Sequence, residues 1–204
     1  EQYINQVATI QPDQPDLIYY LGESNRFQGR NTAALGYYNQ SLSVDANFAP
    51  AYLGRARARL AEDPTAREEP LKDLERALEL DPNLAEAYIE LAVIHISDRR
   101  YEDALLLLDR AVGLLPESPL VALYRAQALL ALERERLAIT DGRRAAGGVA
   151  ALDEQNQRVA LAQADSALPP LRAQREQALL LLAVLGGRAP AEALPPVPPL
   201  SAFK

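Results

Sequence analysis

Residues 85–118 read AEAYIELAVIHISDRRYEDALLLLDRAVGLLPES, and this stretch decides the fold. Apolar residues recur every three or four positions in residues 88–96 and again in residues 101–114, which is the spacing of one face of an α-helix. The polar run 97–100 lies between them and predicts a turn. Because proline cannot continue a helix, Pro116 marks the end of the second segment. The stretch therefore predicts two helices joined by a short turn.

This helix-turn-helix unit recurs along the chain at a pitch of 34 to 36 residues. Two sets of small residues lie at positions where helices would pack closely, and both sets keep the same pitch. The first set is Gly22, Ala56, Ala92 and Ala126, and the second is Ser41, Ala77, Ala111 and Ala145. Both sets gain two residues at residues 62–69, which predicts a longer turn between helices there. Self-similarity at this pitch predicts an array of stacked helical pairs.

The pattern within each unit resembles the tetratricopeptide repeat (TPR) family. In residues 85–118 the matching positions are Tyr88, Leu91, Ala92, Tyr101, Ala104, Leu108, Ala111 and Pro116, and in residues 15–48 they are Ile18, Leu21, Gly22, Gly29, Ala34, Tyr38, Ser41 and Asp45. The resemblance implies an all-α fold, a right-handed α-solenoid of helix-turn-helix repeats whose job is to bind protein or peptide.

Two further units match less completely. Residues 49–84 keep Tyr52, Ala56, Leu74, Ala77, Leu78, Asp81 and Pro82 but depart from the family pattern at Arg55, Arg59 and Pro70. Residues 119–147 form a degenerate fourth unit. Gly142 stands there in place of a large apolar residue, which weakens the expectation of a second helix.

The sequence on either side of the repeats differs in character. Residues 1–14 match the second half of a unit, which predicts a half repeat or an N-terminal capping helix. Residues 148–187 are expected to form C-terminal capping helices, at 152–168 and 170–185.

The end of the chain has two interpretations that the sequence leaves open. Residues 178–185 are apolar on all sides, so this helix either caps the stack or lies in its groove. Residues 188–204 form a proline-rich tail. Both a flexible linker and a polyproline segment docked near Tyr19 and Phe27 fit this composition.

The composition excludes several classes of function. A net charge of −7 disfavours nucleic-acid binding, which depends on clustered Lys and Arg. No apolar run approaches the length of about 20 residues that a membrane-spanning helix needs. The chain contains no Cys and no Met and begins with Glu1. These features favour an extracytoplasmic domain of a processed or longer chain and do not identify the compartment.

The candidate binding residues follow from the geometry of a helical array. The first helix of each pair lines the concave side, and its exposed positions recur at about i, i+3, i+7 and i+10. The groove predicted in this way consists of Tyr19, Glu23, Arg26, Phe27, Leu53, Arg57, Leu60, Glu86, Ile89, Val93, Ile96, Leu123, Gln127 and Leu130.

This predicted groove is mostly apolar. TPR modules that clamp acidic C-termini present Lys, Asn and Arg here, so the resemblance argues against carboxylate clamping. We expect the groove to bind an apolar helix or an extended peptide. The alternative is a structural or self-assembly module whose groove is filled by its own C-terminal segment or by another copy.

No residue pattern predicts an enzyme, a cofactor or a metal site. His95 is the only histidine, and its position on a packing face predicts a core or subsurface role. The acids Glu68, Glu69, Asp73 and Glu75 are expected to be solvated in a turn and at a helix start. The tyrosines mostly occupy packing positions, with Tyr19 as the one expected to face the groove.

Overall fold

The computed structural model describes residues 14–145 and 151–185, with side chains described for residues 14–141 and 155–177. The predicted N-terminal half repeat (1–14, apart from its last residue), the glycine pair at 147–148 and the tail at 188–204 lie outside the described residues. The chain divides into two compact units, Glu1–Leu91 and Ala92–Lys204.

The described residues form eight α-helices, and no strand occurs among them. This confirms the all-α prediction. The helices are α1 (Pro15–Phe27), α2 (Asn31–Val44), α3 (Ala49–Glu62), α4 (Glu68–Leu80), α5 (Ala85–Ser97), α6 (Tyr101–Leu114), α7 (Pro119–Ala145) and α8 (Ala151–Leu185). The pairs α1–α2, α3–α4 and α5–α6 lie within residues 15–48, 49–84 and 85–118, which are three of the four stretches predicted to be repeats.

Equivalent turns within the repeats have equivalent backbone geometry. Gly29 follows α1 with a φ of 75°, and Arg99 follows α5 with a φ of 62°. The amide of Arg30 then donates to the carbonyl of Asn25 at 2.9 Å, and the amide of Arg100 donates to the carbonyl of His95 at 2.8 Å. Glycine adopts this left-handed conformation freely, whereas a side chain disfavours it. The turn geometry is therefore set by the repeat even where the glycine is replaced.

The ends of the second helices are also equivalent. Asp45 follows α2 and Asp81 follows α4, and each carboxylate accepts a hydrogen bond from the backbone amide two residues later, at 2.8 and 2.9 Å. Such turns satisfy backbone donors where a helix stops. At the start of α7 the Ser118 hydroxyl accepts a 3.4 Å bond from the amide of Val121, as its position before Pro119 predicts.

The structure differs from the sequence prediction after residue 118. A single helix of 27 residues, α7, covers the fourth repeat, for which the sequence predicted a first helix and weakened the expectation of a second. Residues 131–138 are mostly good helix formers without Gly or Pro, so nothing interrupts the helix before Gly142.

The two C-terminal helices expected at 152–168 and 170–185 are likewise a single helix, α8, of 35 residues. It contains Pro169 and Pro170 in its interior, where each proline removes a backbone hydrogen bond. Leu168 before the prolines and Leu171 after them both belong to the cluster that packs against α7. This packing on both sides of the prolines offsets the lost hydrogen bonds.

The core of the first unit is organised around one tyrosine. Tyr38 of α2 is fully buried and packs with Ala34 and Ala58. Its ring lies against the backbone of both α1 and α3: an added Cβ would come within 2.6 Å of the ring at Gly22 and within 2.5 Å at Gly54. These two glycines therefore let the first helices of successive repeats approach the same ring.

Two departures of the second repeat from the family pattern, Arg55 and Arg59, are explained by one buried acid. Asp73 of α4 is 3% exposed, which corrects the prediction that it is solvated. Arg55 donates to it at 2.6 and 3.0 Å, and Arg59 donates at 2.6 Å. Arg55 also donates to Asn39 at 2.8 Å. An ionic cluster thus occupies the place where the family pattern has apolar side chains.

We expect Gly22→Ala to destabilise the chain. Displacing the Tyr38 ring costs about 1–3 kcal/mol, which exceeds the gain of about 1 kcal/mol from the better helix propensity of alanine. Urea unfolding measures the difference. The matched control is Gly36→Ala in α2, where no heavy atom lies within 4 Å of the added Cβ, and this variant should be more stable than the wild type. A Gly22→Ala chain at least as stable as Gly36→Ala would contradict this packing.

Candidate functional site

Most of the apolar groove candidates are buried in the structure. Leu53 is 3% exposed, Ile89 4%, Ile96 8%, and Leu123 and Leu130 1% each. The prediction that these side chains form an exposed apolar contact surface is therefore wrong. In the first unit, the first helices α1 and α3 lie side by side, so apolar residues between them become core.

In the second unit, α8 covers two of the groove candidates. Leu123 and Leu130 of α7 form one cluster with Ala126 and with Leu168 of α8, and Leu161, Ala164 and Leu171 pack against it. An exposed ion pair, Arg134–Asp165 at 3.3 Å, also links the two helices. The contact between α7 and α8 is thus mainly apolar.

The remaining candidates differ in exposure. Leu60, Val93 and Gln127 are half-buried, and Glu86 is exposed. Phe27 is 51% exposed, with the Arg26 guanidinium 4.5 Å from its ring centroid.

Four of the candidates form a polar and aromatic cluster in the first unit, which we call the Tyr19 cluster: Tyr19, Glu23 and Arg26 from α1, and Arg57 from α3. Arg26 holds Glu23 with two hydrogen bonds, at 3.0 and 2.7 Å. Arg57 is close enough to act electrostatically on both Tyr19 and Glu23. All four side chains are half-buried.

Two residues that the sequence analysis did not assign to the groove complete the cluster. The Tyr38 hydroxyl donates to Glu23 from the core side, and Arg57 donates to Glu90 of α5 at 2.7 Å. The sequence analysis did not predict Tyr38 because it took groove residues only from the first helix of each pair, and Tyr38 lies on a second helix. Gly22 and Gly54 could have indicated it, since both glycines leave room for a bulky side chain from a neighbouring helix.

Aromatic rings surround Tyr19. Its ring centroid lies 5.3 Å from that of Tyr20, 5.9 Å from that of Tyr38 and 5.7 Å from that of Phe48. Burial, followed by the negative charge of Glu23, raises the pKa of Tyr19 to about 12. The phenol is therefore neutral at physiological pH and can both donate and accept hydrogen bonds.

Glu23 stays charged although it is largely buried. Burial alone would raise the pKa of its carboxyl. The hydrogen bonds from Arg26 and Tyr38 and the charges of Arg26 and Arg57 outweigh burial and hold the pKa below the ordinary value of 4.5. When Glu90 is counted with the cluster, each charge has an opposite charge beside it, and the two arginines and two glutamates together carry no net charge.

His95 of α5 lies below the surface, as its position predicts. Its Nδ1 is buried and has no hydrogen-bond partner. Burial, and then the nearby charge of Arg100, lower its pKa. Among residues with described side chains, no group of three His, Cys, Asp or Glu is arranged to hold a metal ion. None of the described helices is both long and apolar enough to span a membrane.

Comparison with known proteins identifies the fold. No protein-family model and no curated protein matches the chain. Solved TPR structures do match. TTC0263, a thermophilic TPR protein of Thermus thermophilus, is 19% identical with a TM-score of 0.57, over 79% of this chain and 86% of that chain.

Two further structures give similar values. YrrB, described as a TPR protein with an unusual peptide-binding site, is 16% identical with a TM-score of 0.56, over 85% of this chain and 84% of its own. MamA is 14% identical with a TM-score of 0.56, over 85% and 87%. The chain therefore has the TPR fold predicted from its sequence.

We expect the ionised form of Glu23 to stabilise the fold. Because the pKa of Glu23 is lower in the folded chain, the unfolded chain binds more protons near pH 4. The stabilisation by the ionised carboxylate is therefore present above the ordinary pKa. It is lost as the pH falls through the pKa of the folded chain. Urea unfolding between pH 6 and pH 3 should therefore show a smaller pH dependence for Glu23→Gln than for the wild type. Glu79→Gln removes an exposed carboxylate from the same unit and is the control. Equal pH dependence in Glu23→Gln and wild type would rule out this role.

Proposed function

We propose that this chain is a protein-interaction module that binds an extended peptide at the Tyr19 cluster. The observation that carries the proposal is the meeting of four groove candidates from two successive repeats, α1 and α3, in one half-buried cluster. A peptide that lies across two repeats needs a surface to which both repeats contribute. The TPR fold supports the same interpretation, because the structural neighbour YrrB is described as having a peptide-binding site.

An extended peptide fits this surface better than an apolar helix. A helix that binds in a groove packs its own apolar residues at i, i+3, i+4 and i+7 against exposed apolar side chains of the groove. Apart from the half-buried Leu60, the leucines and isoleucines among the groove candidates are in the core and cannot supply this surface. Tyr19 instead offers an aromatic ring, and the paired charges offer hydrogen-bonding groups for a peptide backbone.

The paired charges would contribute hydrogen bonds to a neutral peptide backbone and set its orientation. Glu23 and Arg26 already satisfy each other, as do Arg57 and Glu90. A charged ligand group would have to compete with these partners, whereas a neutral amide would only add to them. The groups present are suited to binding; they do not form a nucleophile and base pair, and we assign the site no catalytic role.

A second candidate function is favoured by one observation. Helix α8 covers Leu123 and Leu130, which are groove candidates of the fourth repeat. In this candidate the second unit is structural, with its groove positions filled by the chain's own C-terminal helix. A chain that ends at residue 147 should then bind a hydrophobic dye more strongly than the full chain, and unchanged dye binding would exclude it.

The proposed function is tested by selecting binders from a random peptide library with the full chain and measuring their affinity for two variants. We expect Tyr19→Ala and Arg57→Ala each to lower affinity at least fivefold, because the ring and the Arg57–Glu90 pair form the peptide surface. Calorimetry gives the dissociation constants.

The matched control is Arg76→Ala, which removes an arginine of α4 in the same unit, ion-paired with Glu79 at 2.9 Å. This control should bind like the wild type. Circular dichroism and urea midpoints establish that all three variants are folded. Peptides whose affinity is the same for wild type, Tyr19→Ala and Arg57→Ala would place binding elsewhere and end the proposal.

A further inference from the structure

The last turn of α5 contains a histidine with one ring nitrogen that lacks a partner. The Nδ1 atom of His95 is buried and has no hydrogen-bond partner among the described residues, while the ring as a whole is half-buried. A neutral imidazole keeps its proton on one nitrogen and leaves the other as an acceptor, whereas the protonated ring has an N–H on both. Protonation of His95 therefore places a charged N–H where no acceptor is present, which is costly in a buried place.

The first repeat has a side chain in the equivalent place whose hydrogen bonding is satisfied. Asn25 and His95 precede equivalent turns, since the carbonyl of each accepts a hydrogen bond from the amide five residues later, at 2.9 and 2.8 Å. Asn25 is 6% exposed, and its Nδ2 donates to the carbonyl of Leu21 at 2.8 Å. This position can therefore hold a polar side chain that is satisfied by its own helix. The unpartnered nitrogen is a feature of the histidine and not of the repeat.

The turn after α5 is a place where the chain can open at low cost. Arg99 has a φ of 62°, a conformation that a residue with a Cβ disfavours, and the first repeat has glycine there. Two ion pairs connect this turn and the start of α6 with α7: Arg99 with Glu135 at 3.6 Å, and Glu102 with Arg136 at 3.7 Å. Both pairs are long and largely exposed, and such pairs contribute little to stability. Segments of this kind open locally while the rest of a protein stays folded.

The charges around His95 do not compensate for its burial. Burial, followed by the positive charge of Arg100, lowers the pKa of His95 below its ordinary value of 6.5. Asp103 and Asp98 act in the opposite direction and are outweighed, and Asp103 already accepts a hydrogen bond from Arg100 at 2.8 Å. When the turn is open, the ring lies in water and takes up a proton at its ordinary pKa. The advantage of the closed turn is therefore complete above about pH 6.5 and decreases as the pH falls below it.

We propose that the α5–α6 turn is an acid-sensitive switch, in which protonation of His95 opens the turn while the turn of the first repeat stays closed. The open turn lets water accept the hydrogen bond from Nδ1. The opening unwinds the end of α5 and uncovers Ile96, which is 8% exposed in the closed turn. An acidic environment thus gives the chain an apolar contact that it lacks at neutral pH. The switch does not involve the Tyr19 cluster, and its test does not depend on the proposed function.

The test is amide hydrogen exchange of the full chain, measured by NMR at pH 7.5 and pH 5.0 and corrected for the intrinsic exchange rate at each pH. His95 is the only histidine, so it is the side chain whose ordinary pKa lies in this interval. The reporting amides are those of residues 98–100, which donate to the carbonyls of Ile94, Ile96 and His95. We expect their protection to fall about threefold or more at pH 5.0, because protonation shifts the local opening equilibrium. The amides of residues 28–30 close the equivalent turn of the first repeat and should keep their protection.

His95→Asn is the decisive variant, because Asn25 occupies the equivalent place in the first repeat. It should remove the pH dependence at residues 98–100 and leave the chain folded, as judged by circular dichroism. His95→Gln is a second replacement that does not titrate, and it gives the same comparison if His95→Asn does not fold. Arg99→Gly removes the disfavoured backbone conformation, so it should raise protection at both pH values while the pH dependence remains.

Three results would overturn the proposal. Residues 98–100 could be equally protected at both pH values in the wild type. Their protection could fall as much in a folded His95→Asn or His95→Gln chain as in the wild type, which would assign the effect to another group. Residues 28–30 could lose protection to the same extent, which would show general unfolding in place of a local switch.

Discussion

The contact of Tyr38 with Gly22 and Gly54 is the constraint on which the first unit depends. One ring from a second helix fills the space between the first helices of two successive repeats, and only residues without a Cβ allow both backbones to approach it. The same side chain ends in a hydroxyl that donates to Glu23. Packing of the core and orientation of the candidate site are therefore set by one residue.

This arrangement explains why the site is polar although the sequence predicted an apolar groove. Stacking turns the apolar positions of the first helices into core, as at Leu53 and Ile89. The side chains that remain accessible include half-buried charged groups, and each of these needs an opposite charge beside it. Glu23 pairs with Arg26, and Arg57 pairs with Glu90. In the second unit, α8 covers the equivalent positions of α7 with its own leucines.

The sequence predicted much of the fold because each repeat carries the same local signals for helices and turns. Helical periodicity, Pro116 and the turn at 97–100 located helix boundaries in three repeats, since those signals act over a few residues. Burial of Asp73 could not be predicted in this way. It depends on Arg55 and Arg59, which reach it from another helix.

The same distinction applies to the last two helices and to the site. The single helices α7 and α8 depend on how their apolar faces pack together, which outweighs the breaking effect of Pro169 and Pro170. Tyr19, Glu23, Arg26 and Arg57 were found because they follow the periodicity of the first helices. Their partners Tyr38 and Glu90 lie outside that pattern, so only the tertiary structure identifies them.

The most direct measurement is the pKa of Glu23 in Tyr38→Phe, read from the ¹³C chemical shift of its carboxyl group. The substitution keeps the ring between Gly22 and Gly54 and removes only the hydroxyl. If Tyr38 links the core to the site, the pKa of Glu23 rises above its wild-type value while the chain stays folded. An unchanged pKa in a folded Tyr38→Phe chain would contradict the account.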